Sequence, residues 1–194
     1  MLKWLHKRLL TGRKLGDLNN LRYLRDVPVD GLVVEIGSKQ HGNTPNFRSL
    51  YPNYIGLDLE PGEGVDRVCD IERECPDLQA ALVICCSVLE HVQRPWIAAE
   101  NIAKLVRPGG QLYISVPWVW KYHAYPDDYW RFSWRGIQVL FPGFVWEQPM
   151  YSTTSTGADF FEAVPGSDGA RAVVTDGVKF LPYLMVHMIG SREC

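Results

Sequence analysis

The sequence predicts an α/β fold in which a parallel β-sheet is covered by helices. From Gly31 onward, five short runs rich in apolar and β-branched residues alternate with helix-like stretches. The runs are 31–37, 53–59, 65–71, 81–89 and 110–117. Buried strands joined by crossovers are typical of a parallel sheet, which binds ligands at the carboxyl ends of its strands near the switch point in strand order.

A helix is predicted between the fourth and fifth runs, because apolar residues there recur on one helical face and the sequence "RPGG" follows them. The residues of that face are Ala98, Ala99, Ile102, Leu105 and Val106. After Pro117 we expect a helix from about Ser133 to Phe141, a strand within 144–152, a glycine-containing loop region and a last strand within 183–190.

Length and composition indicate one globular domain. The chain has 194 residues, 46% of them apolar and 22% charged, which excludes a disordered or fibrous protein. A net charge of -2 provides no broad basic surface, so nucleic acid is not an expected partner. No apolar stretch is long enough for a membrane-spanning helix.

The five cysteines are an odd number without a C-x-x-C pair, which predicts reduced thiols and a cytoplasmic location. Residues 1–16 contain five Lys or Arg residues and no acid, with Leu and Trp at helical spacing. This segment is either a terminal helix that covers the core or a ligand, or a helix that contacts an anionic membrane surface. We therefore divide the chain into an N-terminal helical cap (1–30) and a main domain (31–194), with the oligomeric state left open.

Acidic residues end two of the predicted strands. Glu35 lies two residues before Gly37, where it would repel a pyrophosphate and favour a cationic ligand, which argues against a nicotinamide-dependent oxidoreductase. Asp58 ends the second strand, where a carboxylate suits ribose hydroxyls. Asp70, beside Ile71, follows the third strand and could accept a hydrogen bond from an adenine amino group.

Six segments resemble, in order, the motifs of the class I S-adenosylmethionine-dependent methyltransferases, and within them the type 11-like group. The segments are "VVEIGS", "YIGLDL", "CDI", "CCSVLEHV", "LVRPGGQLYISVP" and "HAYPDDYWRF". The resemblance implies a Rossmann-like fold: a single domain with a doubly wound, mostly parallel sheet and an antiparallel last strand. It also implies S-adenosylmethionine as the cofactor.

The resemblance also implies which residues surround that cofactor. Those expected at its methionine end are Glu35, Gly37 and Ser38, those at its ribose are Asp58 and Leu59, those beside its adenine are Asp70 and Ile71, and those lining the remaining pocket are Ser87 and His91. Two departures stand out: Lys39 and His41 occupy positions where the family usually has glycines, and Ala81 replaces an acid. Glu90 and His91 are expected to have a pocket or structural role rather than a catalytic one.

Eight of the seventeen residues from Trp118 to Trp134 are aromatic. Such a segment either packs for purely structural reasons or forms a lid over the methyl acceptor. On the lid hypothesis, the residues that bind the acceptor are Trp118, Tyr125, Trp130 and Arg131, and the catalytic residues are His123, Asp128 and Tyr129. His123 would take the acceptor proton, oriented by Asp128 or by Asp127.

No metal is predicted, because the residues that could supply a site show no ligand spacing such as H-x-x-x-H. Those residues are His91, His123, Asp127 and Asp128. The expected function is methyl transfer to an oxygen or nitrogen of a small-molecule acceptor, such as a sugar or an aromatic natural product. The alternative is a non-catalytic methyltransferase-like protein that binds S-adenosylmethionine.

Overall fold

The computed structural model describes residues 19–41, 47–153, 160–162 and 184–194. Its described strands form one sheet, and their bounds are β1 (Val33–Ile36), β2 (Tyr54–Asp58), β3 (Arg67–Val68), β4 (Ala80–Cys86), β5 (Val106–Val119), β6 (Phe144–Trp146), β7 (Met150–Thr153), β8 (Phe160–Glu162) and β9 (Leu184–Arg192). Besides a helical stretch at residues 19–24, the structure describes the α-helices α1 (Pro95–Leu105) and α2 (Trp134–Leu140) and the 3-10 turns Phe47–Ser49 and Leu89–His91.

The sheet has the order β3-β2-β1-β4-β5-β9-β7-β8, with β6 also paired to β9. The first five strands are parallel, and Val33 of β1 lies opposite Tyr54 on one side and Leu82 on the other. Strand β9 is antiparallel to β5, β6 and β7. The predicted fold class is therefore confirmed, including the antiparallel last strand. Strand order reverses between β1 and β4, which places the switch point there.

Two apolar layers cover the sheet because successive strand residues point to opposite faces. Val34 belongs to a cluster with the apolar side of α1 and with Ile137 and Phe141. Its neighbour Val33 belongs to a second cluster with Leu24 and residues around the first 3-10 turn. Burial on both faces explains why the central strands read as continuous apolar runs.

The crossovers are less helical than predicted. Among the described residues that connect the parallel strands β1 to β5, only the connection between β4 and β5 contains an α-helix, and β1 is followed by the 3-10 turn. The connection from β2 to β3 is a loop that contains Pro61 and two glycines, and such a short stretch has no room for a helix. Helix α1 ends as predicted, although β5 already begins at Val106 and carries an irregularity near Gly109, whose φ is 69°.

The predicted helix near 133–141 is confirmed, and the side chain of Ser133 caps it by accepting the Gly136 N–H at 3.0 Å. The strand predicted within 144–152 is instead two strands, β6 and β7, interrupted at Pro149, which has no N–H to donate.

The predicted cap (1–30) is described only from residue 19, and residues 19–24 are helical. The basic stretch 1–16 and residues 154–159 and 163–183, where the sequence predicts a loop region, lie outside the described residues. Within the part of the chain that is described, no helix has the length and apolar character needed to cross a lipid bilayer.

Candidate active site

A cavity of about 870 Å³ opens at the carboxyl ends of β1, β2, β4 and β5, at the switch point. Its volume falls in the range of small-molecule sites. All nine residues predicted to surround a cofactor contribute to its wall, namely Glu35, Gly37, Ser38, Asp58, Leu59, Asp70, Ile71, Ser87 and His91. The sheet topology brings them together because each lies in the last residues of a parallel strand or in the turn beyond it.

The turn after β1 requires the glycine that the sequence places there. Gly37 has φ 77°, in the left-handed region, and a Cβ atom at this position would lie 2.5 Å from Cγ2 of Val88. The N–H groups of Gly37 and Ser38 both donate to the carbonyl of Leu57, at 2.9 and 3.0 Å. This geometry holds the backbone of the β1 turn against the end of β2.

Glu35 is a buried carboxylate that faces the cavity. It accepts a hydrogen bond from the hydroxyl of Tyr54. Burial, and then the negative charge of Glu35, raise the pKa of Tyr54, so this hydroxyl is a donor at ordinary pH. A fixed anion at the end of β1 is suited to a cationic ligand group.

Asp58 joins the loops that follow β1 and β2. One carboxylate oxygen accepts the Lys39 N–H at 2.9 Å, and the other accepts the Glu60 N–H at 3.1 Å. The side chain of Lys39 runs past Gly62 and ends in an ion pair of 2.7 Å with Glu60. The loop after β2 therefore accommodates the side chain of Lys39, and the Asp58 carboxylate stays at the cavity wall.

Asp70 stabilises its own turn as well as facing the cavity. Its carboxylate accepts the Glu72 N–H at 3.0 Å and pairs with Arg73 at 3.1 Å. The neighbouring Ile71 is buried and presents an apolar surface to the cavity. Asp70 and Ile71 therefore offer one polar and one apolar contact just after β3.

Ser87, directly after β4, has φ 52°, an uncommon conformation for a residue with a side chain. Its N–H donates to the carbonyl of Ser115 at 2.8 Å. The strained turn leads at once into the 3-10 turn that carries Glu90 and His91. Strain of this kind concentrates at functional sites, where the surrounding structure compensates for it.

The segment 118–134 crosses the cavity mouth and is fastened to the 3-10 turn by backbone contacts. The N–H groups of Tyr129 and Trp130 donate to the carbonyl of Glu90 at 2.8 and 3.2 Å. Nδ1 of His91 lies 2.6 Å from the carbonyl of Asp127, which can only accept, so this nitrogen carries the proton. The position of the aromatic segment is thereby tied to the end of β4.

His123, on that segment, faces the cavity and is held by a carboxylate. Its Nδ1 lies 3.0 Å from Oδ2 of Asp128, and its own N–H donates to the same oxygen at 2.8 Å. Of the two carboxylates left open by the sequence, it is therefore Asp128 that contacts the imidazole. The side chain of Asp127 instead accepts from the hydroxyl of Tyr122 and the Asp128 N–H.

Three of the residues predicted to bind the acceptor lie away from the cavity wall among the described residues: Trp118, Trp130 and Arg131. The indole N–H of Trp130 donates to the carbonyl of Val92 at 3.0 Å, and Arg131 pairs with Asp128. These contacts hold the side chains of Trp130 and Arg131 away from the cavity wall. Tyr125 and Tyr129 do reach the cavity.

The aromatic segment is also less buried than expected. Five of its eight aromatic side chains are exposed, namely Trp118, Tyr122, Tyr125, Tyr129 and Trp130, whereas Phe132 is buried. The rings therefore do not form a closed core of their own. Around the mouth they leave apolar surface available to a ligand.

Sequence reasoning missed several cavity residues. Trp120 and Lys121 line it from the aromatic segment, and Lys39 and His41 line it from the β1 loop. Glu90, expected from the sequence to have a pocket or structural role, lines it as well, with a fully buried side chain whose burial raises its pKa to about 8.

A sheet of this order, with a buried acid at the end of β1 and a second acid at the end of β2 beside one cavity, defines a class I methyltransferase. Comparison with known families agrees: the model described as a methyltransferase domain matches residues 9–142. The chain belongs to this methyltransferase family, so it is an enzyme of the predicted class, and S-adenosylmethionine is its cofactor.

Solved structures show the same fold. An S-adenosylmethionine-dependent methyltransferase from Thermotoga maritima has a TM-score of 0.64 and 18% identity, over 97% of this chain and 95% of that chain. The 1,6-didemethyltoxoflavin-N1-methyltransferase of Burkholderia thailandensis, solved with S-adenosylhomocysteine, has a TM-score of 0.61 and 12% identity, over 95% of this chain and 79% of that chain. The N-methyltransferase NodS of Bradyrhizobium japonicum, also solved with S-adenosylhomocysteine, has a TM-score of 0.57 and 13% identity, over 93% of this chain and 86% of that chain. No curated protein matches the sequence.

The residues present fit this cofactor. Oγ of Ser38 is buried and has no hydrogen-bond partner among the described residues, which leaves a polar atom at the cavity for a ligand to satisfy. Gly37 has no side chain and lines the cavity with its backbone, and Glu35 supplies a negative charge near it. Apolar surface from Ile71 and Leu59 adjoins these polar groups, as a nucleoside requires.

Proposed function

We propose that this methyltransferase transfers a methyl group to an oxygen or nitrogen of a small-molecule acceptor. The observation that carries the proposal is the juxtaposition, in one cavity, of the acidic strand ends and an imidazole that Asp128 orients. Acceptors with a ring or sugar face suit the mouth, where Tyr125 and Tyr129 contribute half-exposed aromatic surface.

Within the proposal, the cofactor occupies the part of the cavity nearest β1, β2 and β3. Glu35 attracts its ammonium group, the Gly37 turn and Ser38 contact its methionine end, and Asp58 with Leu59 contacts its ribose. Asp70 and Ile71 flank its adenine. Ser87 and His91 complete the wall between this region and the aromatic segment. When bound, S-adenosylmethionine supplies a sulfonium methyl group that is open to in-line displacement.

The chain's own contribution is alignment and proton removal. Both acceptors near Nδ1 of His123, the Asp128 carboxylate and the Lys121 carbonyl, favour a proton on that nitrogen. Nε2 then carries the lone pair and can take the acceptor proton as a general base. Tyr129, whose hydroxyl accepts from Gln93 at 3.0 Å, can donate to a polar group of the acceptor.

Two of the solved relatives support a small acceptor, since one is named as a didemethyltoxoflavin N-methyltransferase and the other as the N-methyltransferase NodS. A net charge of -2 supports a partner other than nucleic acid. All five cysteines are free, which supports a reducing, cytoplasmic location.

The test begins with calorimetric titrations of S-adenosylmethionine, S-adenosylhomocysteine and NAD in parallel. We expect binding of the first two and none of NAD. Incubation with cell extracts and a labelled methyl donor should then label a small molecule. Cofactor binding without label transfer to any extract component would favour the non-catalytic alternative, and label in nucleic acid would contradict the acceptor class.

A further inference from the structure

Glu90, His91 and His123 converge at the junction of the 3-10 turn and the aromatic segment. Oε1 of Glu90 lies 3.8 Å from Nε2 of His91 and 4.0 Å from Nε2 of His123. One potential ligand atom from each of the three lies within 4.8 Å of the others. The two imidazole rings meet edge to face, with centroids 4.8 Å apart.

The hydrogen bonds of the two imidazoles leave a lone pair on each Nε2, the nitrogen nearer to Glu90. Nδ1 of His91 donates to the Asp127 carbonyl, and Nδ1 of His123 donates to the Asp128 carboxylate. In the neutral rings, each Nε2 is consequently unprotonated. Histidines that bind a metal through one nitrogen characteristically donate the other N–H to a carbonyl or a carboxylate, which fixes the ring.

The carboxyl group at the centre of the cluster has few polar partners. Its side chain is fully buried, and neither oxygen has a hydrogen bond of ordinary geometry within the described residues. The separations to the two Nε2 atoms exceed those of a direct hydrogen bond. A buried carboxylate facing two nitrogen lone pairs is unfavourable unless a proton or a cation lies between them.

We propose that Glu90, His91 and His123 bind a divalent first-row transition metal ion, such as Zn²⁺ or Mn²⁺, at the cavity wall. Two ligand atoms that are each about 2.1 Å from an ion can be at most about 4.2 Å apart, so the two distances to Glu90 already satisfy this limit. Two imidazoles and one carboxylate favour such ions over Mg²⁺ or Ca²⁺, which prefer oxygen ligands.

The remaining coordination positions face the cavity, since all three side chains line it. There the ion would bind an oxygen or nitrogen of the acceptor and lower its pKa, which deepens the proposed function and rests on it. A bound ion would also occupy the Nε2 lone pair of His123. His123 therefore serves as a general base only in the metal-free protein.

The test is calorimetric titration of tag-free, chelator-treated protein with Zn²⁺, Mn²⁺ and Mg²⁺, in a Cys194→Ser background that removes the exposed thiol. We expect one Zn²⁺ or Mn²⁺ per chain and weaker binding of Mg²⁺. Glu90→Gln and His123→Asn should each weaken the binding of Zn²⁺ and Mn²⁺ about tenfold or more. His41→Asn is the matched control, because His41 lines the same cavity outside the cluster. The affinity of this variant for Zn²⁺ and Mn²⁺ should equal that of the parent.

Glu90 is fully buried, so Glu90→Gln carries a risk of misfolding. His123 is partly exposed, so His123→Asn should fold and still tests the metal site. Absence of Zn²⁺ and Mn²⁺ binding to the folded parent protein would overturn the metal site and leave a shared proton as the explanation of the cluster. Equal ion affinity in His123→Asn and the parent would overturn it as well. Titration of the same samples with S-adenosylhomocysteine separates this inference from the proposed function: a failed metal site with intact cofactor binding leaves the proposed function standing.

Discussion

Asp128 lies between His123 and Arg131, with one carboxylate oxygen 3.0 Å from Nδ1 of the imidazole and the guanidinium paired to both oxygens. The carboxylate is almost fully buried. The Arg131 hydrogen bonds are the main reason that its pKa is far below the usual range. Asp128 is therefore an ionised acceptor that holds the imidazole against the cavity.

His123→Asn should lower methyl turnover by about 10² to 10⁴ without loss of cofactor affinity, because the amide cannot take a proton from the acceptor. The measurement is steady-state turnover in metal-free buffer, with calorimetric titration of S-adenosylhomocysteine beside it. Unchanged turnover in the folded variant would eliminate His123 as the base.

Arg131→Lys should lower kcat for methyl transfer about tenfold and leave the acceptor KM nearly unchanged, because lysine keeps the charge but cannot hold both Asp128 oxygens. Arg131 acts here as a positioning residue. An increase in KM at constant kcat would instead support direct binding of the acceptor by Arg131.

Asp58→Ala should weaken S-adenosylhomocysteine binding by about 1 to 3 kcal/mol, because ribose hydroxyls lose a charged acceptor and the β1 loop loses its link to β2. Calorimetry measures the effect. Glu60→Ala removes only the exposed partner of Lys39 and should change the affinity far less. Equal affinities in the Asp58 variant and the parent would show that the ribose lies elsewhere.

Glu35→Gln should weaken the binding of S-adenosylmethionine and S-adenosylhomocysteine to the same extent, because both carry the ammonium group that the carboxylate attracts. Parallel titrations test this, and Tyr54→Phe shows how much of the effect comes from the hydrogen bond to Tyr54. A loss confined to S-adenosylmethionine would place Glu35 near the sulfonium instead.

His187, in β9, should make the fold sensitive to acid. Its Nδ1 contacts the Tyr113 hydroxyl at 2.8 Å and its Nε2 contacts the Ser152 hydroxyl at 2.6 Å, and the ring stacks on Tyr23. Burial lowers the pKa of His187 from 6.5 to about 3. The unfolded chain therefore binds a proton below pH 6.5 that the native protein does not, and the free energy of unfolding falls with decreasing pH.

His187→Gln removes this titration, although it also loses hydrogen bonds and should cost about 1 to 3 kcal/mol at pH 7. The difference in unfolding free energy between parent and variant should narrow by about 1 to 2 kcal/mol from pH 7 to pH 5, because one pKa unit corresponds to about 1.4 kcal/mol. Urea denaturation at each pH measures it. A difference that stays constant would mean that His187 does not contribute to the acid sensitivity.

Local sequence patterns were enough to predict the parallel strands and the positions at their ends. Glu35, Gly37 and Asp58 each lie within a few residues of an apolar run, and the carboxyl ends of parallel strands meet at one edge. A parallel sheet in which these strands are neighbours brings such residues together. That is why the predicted cofactor residues all line the cavity, and why the fold class followed from the sequence.

The tertiary structure decided what no local pattern could. The segment 118–134 has no regular repeat, so the direction of each side chain depends on hydrogen bonds to distant groups, such as the Glu90 carbonyl. Those bonds turn Trp130 and Arg131 away from the cavity and select Asp128 over Asp127 as the partner of His123. They also bring His123 to Glu90 and His91, because side chains far apart in sequence converge only when the backbone between them is fixed by packing.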